Sequence, residues 1–115
     1  MPDIKQLTEK IIKFRDARDW KQFHNPKDMA MDLSIEAAEV LELFLWKDKQ
    51  EIDEYIKKNK EEISDELADV FYAILLISHD LKINIAQALE GKIKKNDKKY
   101  PVEKARGVHT KYNKL

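Results

Sequence analysis

Leu33-Ser-Ile-Glu36-Ala-Ala-Glu39-Val-Leu41 and Ile63-Ser-Asp-Glu66-Leu-Ala-Asp69-Val-Phe71 decide how the chain is read. In each stretch two carboxylates lie three residues apart among apolar and helix-forming residues. On a helix, positions i and i+3 share one face about one turn apart. Each phrase therefore aims two acids the same way, and two such helices could bring four carboxylates to one place. Left alone, the four would repel and destabilise the fold. A hard divalent cation removes the repulsion, and an all-oxygen ligand set suits Mg²⁺. The plain alternative is that Glu-x-x-Glu pairs are common and face water beside lysines. Context brings the metal reading level with the plain one. Lys27 is the sole Lys or Arg between Pro26 and Trp46, and Glu66 and Asp69 are the last acids before an apolar run. Acids beside apolar surface without local counter-ions need another partner.

The rest of the chain reads as helix. Ile4, Leu7, Ile11 and Phe14 repeat at helical spacing behind Asp3 as N-cap, which predicts a helix over 3–18. Arg18 to His24 interrupts the pattern. Asn25-Pro26 restarts it, with Asn as cap and Pro at the first helical position. This second helix is expected to reach Trp46, with Met29, Leu33, Ala37, Val40, Leu41 and Phe44 as its apolar stripe. A short helix over 50–58 follows, then a long one over 61–81. The second half of the long helix, Ala68 to Ile77, is apolar nearly all round. Such a helix is buried on most sides. So small a domain can hardly cover it, so a subunit interface is expected there. Asn84 caps a last helix ending near Lys99, with Ile85, Leu89 and Ile93 inward and Pro101 as its stop. The prediction is an all-α, antiparallel four-helix bundle with an extra short helix, forming a homodimer or homotetramer. It is a single domain over 1–115 with an irregular tail over 101–115.

Composition narrows the function classes. The chain has 115 residues, 38% charged and 43% apolar, with two glycines, three prolines and no cysteine. Few turn-formers argue against an all-β fold. Without cysteine there is no disulfide, zinc-thiolate site or thiol catalysis. No signal peptide and no apolar run of transmembrane length are present, so a cytoplasmic location is expected. Zero net charge gives no bulk attraction to a nucleic acid polymer or a membrane. The charge is nonetheless uneven. Gly91 to Leu115 holds nine Lys or Arg against Asp97 and Glu103, whereas the first ninety residues hold thirteen bases and twenty acids. An acidic cup with a basic phosphate clamp fits that split, as does a solvated basic helix end.

Glu36-x-x-Glu39, twenty-six residues, then Glu66-x-x-Asp69 resembles the signature of the MazG-type all-α nucleotide pyrophosphohydrolases. Further pieces are similar to the dCTP pyrophosphatase branch: Arg18-Asp-Trp-Lys-Gln-Phe-His24, Glu42-Leu-Phe-Leu-Trp46-Lys47, Lys92…Asn96…Lys99-Tyr-Pro101, Ala105-Arg106 and Lys111-Tyr112. Together they span nearly the whole chain in order. The resemblance implies a Mg²⁺-dependent enzyme. It would hydrolyse a nucleoside triphosphate, dCTP or a modified dCTP, between the α and β phosphates. Glu36, Glu39, Glu66 and Asp69 would be the metal ligands and catalytic residues. By the same resemblance Lys92, Asn96 and Lys99 would contact phosphates or sugar, with Arg106 and Lys111 as weaker candidates. Trp20 and Trp46 would hold the base, since an aromatic face stacks on any nucleobase, and His24 would line the same pocket. Taken singly, each Trp is more often a core or interface residue, and a lone His is more often structural. One departure is plain: dCTP-branch relatives often carry Tyr where Ala73 stands, and here Tyr72 sits one residue earlier. That shifts the ring by about 100° around the helix and points to altered base or sugar selection. Two rivals remain: the same reaction on another nucleotide such as dUTP, or a non-catalytic helical interaction domain.

Overall fold

A computed structural model describes all 115 residues, and their regular structure is helix with no strand. The helices are α1 (Ile4–Ala17), α2 (Pro26–Glu42), α3 (Lys49–Lys58), α4 (Lys60–Asp80), α5 (Ile85–Lys99) and α6 (Val102–Ala105). Single 3₁₀ turns lie at Lys21–Phe23 and Tyr112–Lys114. The chain falls into two compact units, Met1–Lys82 and Ile83–Leu115. No helix is long and apolar enough to cross a membrane.

Side-chain caps set the helix starts. Asp3 accepts from the Gln6 N–H at 2.8 Å while Gln6 Oε1 accepts from the Asp3 N–H at 2.9 Å, a reciprocal capping box. Asn25 caps α2 through the Asp28 N–H at 2.9 Å, with Pro26 at the first helical position. Asp48 and Glu51 form a second capping box, which starts α3 at Lys49. Asn84 caps α5 through the Gln87 N–H.

The second helix stops at Glu42, short of the expected Trp46. From Leu43 onward the N–H groups reach three residues back, Leu43 to Val40 and Phe44 to Leu41. Such tighter bonds close a helix end. Trp46 then takes a left-handed backbone with φ of 65°, and the Lys47 Nζ donates to the Leu43 carbonyl at 2.7 Å. A bulky residue at positive φ is sterically disfavoured, so the surrounding turn must hold it.

In the first unit, α4 is the central helix, packed against α1, α2 and α3. Met29, Leu43, Ala73, Leu75 and Leu76 are the buried apolar residues. The run Ala68–Ile77 is buried only in part. Leu67 and Phe71, one turn apart on α4, stay exposed, as do Met31 and Ile35 on α2. In the second unit the tail, expected to be irregular, forms α6 and a 3₁₀ turn. Pro101 stands at the α6 N-cap and Gly107 follows its end with φ of 77°. Ile85 is half-buried, but Leu89 and Ile93, expected inward, are exposed. So short a unit has little surface with which to cover a long helix. Its packing is aromatic instead: Tyr100 meets Tyr112 edge-on at 6.0 Å, and Lys99 Nζ lies 4.7 Å over the Tyr112 ring.

Candidate metal centre

The contact between α2 and α4 brings the two acid pairs together. One carboxylate oxygen from each of Glu36, Glu39, Glu66 and Asp69 lies within 4.8 Å of the other three. Asp69 is exposed and the others are half-buried. None of the four is in an ion pair; the cations that do pair are Arg15, with Asp16 and Asp80, and Lys49, with Asp53. Glu36 Oε2 and Glu66 Oε2 are shut off from water and accept no hydrogen bond. Buried carboxylate oxygens without partners cost free energy. The electrostatics record that cost. Burial, then the charge of Glu39, then those of Asp69 and Asp32, push the Glu36 carboxyl from 4.5 up to about 7. Burial, Glu39, Asp69 and Glu62 raise Glu66 in the same way. Four clustered hard oxygen donors, two of them orphaned, fit a divalent cation. This is a fit the ordinary solvated-acid reading does not offer.

A hollow of about 570 Å³ opens beside the cluster, lined by Glu39, Glu42, Leu43, Lys47, Tyr55, Glu62 and Glu66. Lys47 is its one cation, steadied by the Leu43 carbonyl and by the Tyr55 ring 4.6 Å away. Tyr55 meets Phe44 edge-on at 6.2 Å. Burial and the neighbouring Glu62 and Glu66 push its hydroxyl above 10.0. Lys47 closes the Glu42–Lys47 motif, which by itself assigns it no role. Its signal was available, as the first base after twenty residues that hold none but Lys27 near their start.

The other candidates are spread more widely. Trp20 is half-exposed, edge-on to Phe14 at 5.8 Å; Phe14 in turn meets Tyr72 of α4 at 6.4 Å. His24 is half-buried, its Nδ1 3.3 Å from Arg15 Nη1. Trp46 projects from its left-handed turn 92% exposed. Lys92, Asn96 and Lys99 lie at i, i+4 and i+7 on α5 of the second unit, all exposed, as are Arg106 and Lys111. Tyr72 is half-buried and Ala73 buried. Missed altogether was Arg15, the one fully buried side chain and a charged one.

Residues 31–115 match the MazG-like family. The chain is 30% identical to dCTP pyrophosphatase 1 of Mus musculus over 116 residues, covering 99% of this chain and 68% of that protein. It is 28% identical to the Bos taurus protein of the same name, over 99% of this chain and 69% of the other. Among solved structures, a pyrophosphatase from Archaeoglobus fulgidus DSM 4304 superposes with a TM-score of 0.81 at 36% identity. That match covers 88% of this chain and 94% of the other.

Proposed function

Because this chain belongs to the MazG-like family, we propose that it uses Mg²⁺ to hydrolyse a (deoxy)nucleoside triphosphate between the α and β phosphates. The products are the monophosphate and pyrophosphate. That the chain is a nucleoside triphosphate pyrophosphohydrolase rests on its dCTP pyrophosphatase relatives and its pyrophosphatase structural neighbour. dCTP or a modified dCTP is the substrate of choice. The observation that carries the metal assignment is the pair of buried, partnerless oxygens on Glu36 and Glu66 within the four-carboxylate cluster.

Glu36, Glu39, Glu66 and Asp69 would hold the ion. Bound there, Mg²⁺ would neutralise the cluster, bind triphosphate oxygens and stabilise the charge that builds up during in-line attack by water. One carboxylate of the cluster receives the water's proton. Lys92, Asn96 and Lys99, helped by Arg106 and Lys111, contact phosphates or sugar. Trp20, Trp46 and His24 take the nucleoside. The solvent-facing Trp46 ring, held on a disfavoured backbone, suits a stacking role.

The same reading makes the long helices an antiparallel four-helix bundle within a single domain, assembled as a homodimer or homotetramer. Exposed Met31, Ile35, Leu67 and Phe71 support an interface between copies. A partner copy would also help enclose the nucleotide. The enzyme would work in the cytoplasm, sanitising or balancing the nucleotide pool.

Glu39→Gln and Asp69→Asn test the site. Turnover of dCTP, read as pyrophosphate release with Mg²⁺, should fall by orders of magnitude while circular dichroism keeps its helical signal. Release near the wild-type rate in both variants would end the assignment. Screening triphosphates for the two products settles the base.

A further inference from the structure

The metal centre leaves one feature without a task. Arg15 of α1 is 1% exposed, and a buried guanidinium is costly unless it is paired and positioned. Its Nη1 donates to Asp80 Oδ2, at the end of α4, at 2.7 Å and contacts His24 Nδ1 at 3.3 Å. Guanidinium nitrogens only donate. His24 Nδ1 therefore accepts and carries no proton, and the ring proton sits on Nε2. Asp80 holds the guanidinium, and the guanidinium holds the ring. The result is a histidine with one fixed donor.

His24 also lines a cavity of about 80 Å³ between α2 and α4, with Asp28, Met29, Asp32, Ala73 and Leu76. Asp32 lies one turn before Glu36, and Ala73 one turn after Asp69. The cavity is thus one helical turn, about 5.4 Å of rise, from the carboxylate cluster along both helices. A nucleotide whose phosphates meet the cluster would place its nucleoside within that reach. The cavity's other polar side chains, Asp28 and Asp32, are acceptors when ionised. Of the lining side chains only His24 is a donor, and Nε2–H is the nitrogen that the Arg15 contact leaves free. Such a lining complements a base edge that sets a carbonyl or ring nitrogen beside an amino group.

We propose that Arg15, anchored by Asp80, is a positioning residue that keeps His24 as an Nε2–H donor to an acceptor atom of the substrate's base. This rests on the nucleotide reading above. A test that needs no substrate keeps the two separable. Ring ¹⁵N spectra of the wild-type protein at pH 8, assigned with His24→Phe, should show Nδ1 bare and Nε2 protonated. A protonated Nδ1 overturns the proposal, whether or not any triphosphate is hydrolysed.

Kinetics carry the second arm. Arg15→Met alone strands Asp80 and risks the fold, so it is paired with Asp80→Leu, which removes both charges. In the double variant His24 should populate both tautomers. KM for dCTP should rise by about twofold, because about half of the rings are then competent, and by about threefold to tenfold in His24→Phe, the worth of one neutral hydrogen bond, with the loss on KM rather than kcat. His24→Gln, which retains a donor, should lose less than His24→Phe. Inhibition by tripolyphosphate, which has no nucleoside, should not change. A double variant with wild-type KM and one tautomer would reduce Arg15–Asp80 to a structural ion pair and overturn the proposal. The same KM penalty with deoxyribose triphosphate lacking a base would move the contact to the sugar and overturn the base assignment.

Discussion

Glu39→Gln should make the metal-free protein more stable while removing most of its response to Mg²⁺. Glu39 is the charge that most strongly opposes ionisation of both Glu36 and Glu66. At the 4.8 Å that bounds the cluster, two unit charges repel by about 0.9 kcal/mol in bulk water and about 3.5 kcal/mol at an effective dielectric of 20. Asp69 is exposed and the other three are only half-buried, so water screens the pairs and the relief falls toward the lower figure. We expect a gain of about 1–2 kcal/mol at pH 8 in EDTA, a shift of about 1 M in the urea midpoint. The sign with pH follows from Glu36. Its folded value near 7 lies above its unfolded 4.5, so the folded state binds the proton more tightly. Its penalty is absent below the unfolded value, grows as pH rises toward 7 and is full above that. The gain from Glu39→Gln should therefore be larger at pH 8 than at pH 5. Mg²⁺ at about a hundred times its Kd should stabilise the wild type by about 2.7 kcal/mol, and the variant far less at the same concentration. Paired urea melts in EDTA and in Mg²⁺ at both pH values measure all four quantities. A variant less stable than wild type in EDTA at pH 8, or equally stabilised by Mg²⁺, would refute the shared-site electrostatics.

Three further outcomes follow from the same geometry. Mg²⁺ affinity, measured calorimetrically, should rise from pH 6 to pH 8 with proton release, because the raised Glu36 must give up its proton to ligate; an affinity flat across that range would count against Glu36 as a ligand. Asn25→Ala removes the α2 cap and should cost about 1 kcal/mol in a urea melt, leaving the carboxylates in place. Phe71→Glu puts a charge on the exposed edge of α4 and, on the proposed interface between copies, should lower the mass read by light scattering; an unchanged mass would count against that interface.

The acid quartet was legible because it depends on local geometry alone. Spacing of three on a helix aligns each pair, and only the meeting of α2 with α4 needed the structure. The helix starts were legible for the same reason, since Asp3, Asn25 and Asn84 cap their own chains within three residues. The end of α2 was not. Nothing in Leu43–Trp46 breaks a helix by propensity, and the stop comes from a left-handed Trp46 together with a new start at Asp48. The α5 stripe misled because Leu89 and Ile93 have the right period but stay exposed in the second unit. Periodicity reports which face is apolar; it cannot report whether anything covers it.

Arg15 shows where a stronger signal lay unread. It stands four residues after Ile11 and eight after Leu7, in register with the apolar stripe of α1. Asp80 stands four after Leu76, in register with the buried face of α4. A charge in apolar register is either misplaced or paired, and two such residues of opposite sign, sixty-five positions apart, suggest each other. Their union explains why the pair lies inside the first unit rather than on its surface: the guanidinium reaches both Asp80 and His24 through Nη1. Keeping Nδ1 bare takes a group that can donate but never accept, and an apolar residue at position 15 could not do it. A buried charge that adds little to stability can thus be retained for the orientation it imposes, and a variant that keeps stability while releasing the His24 ring separates the two roles.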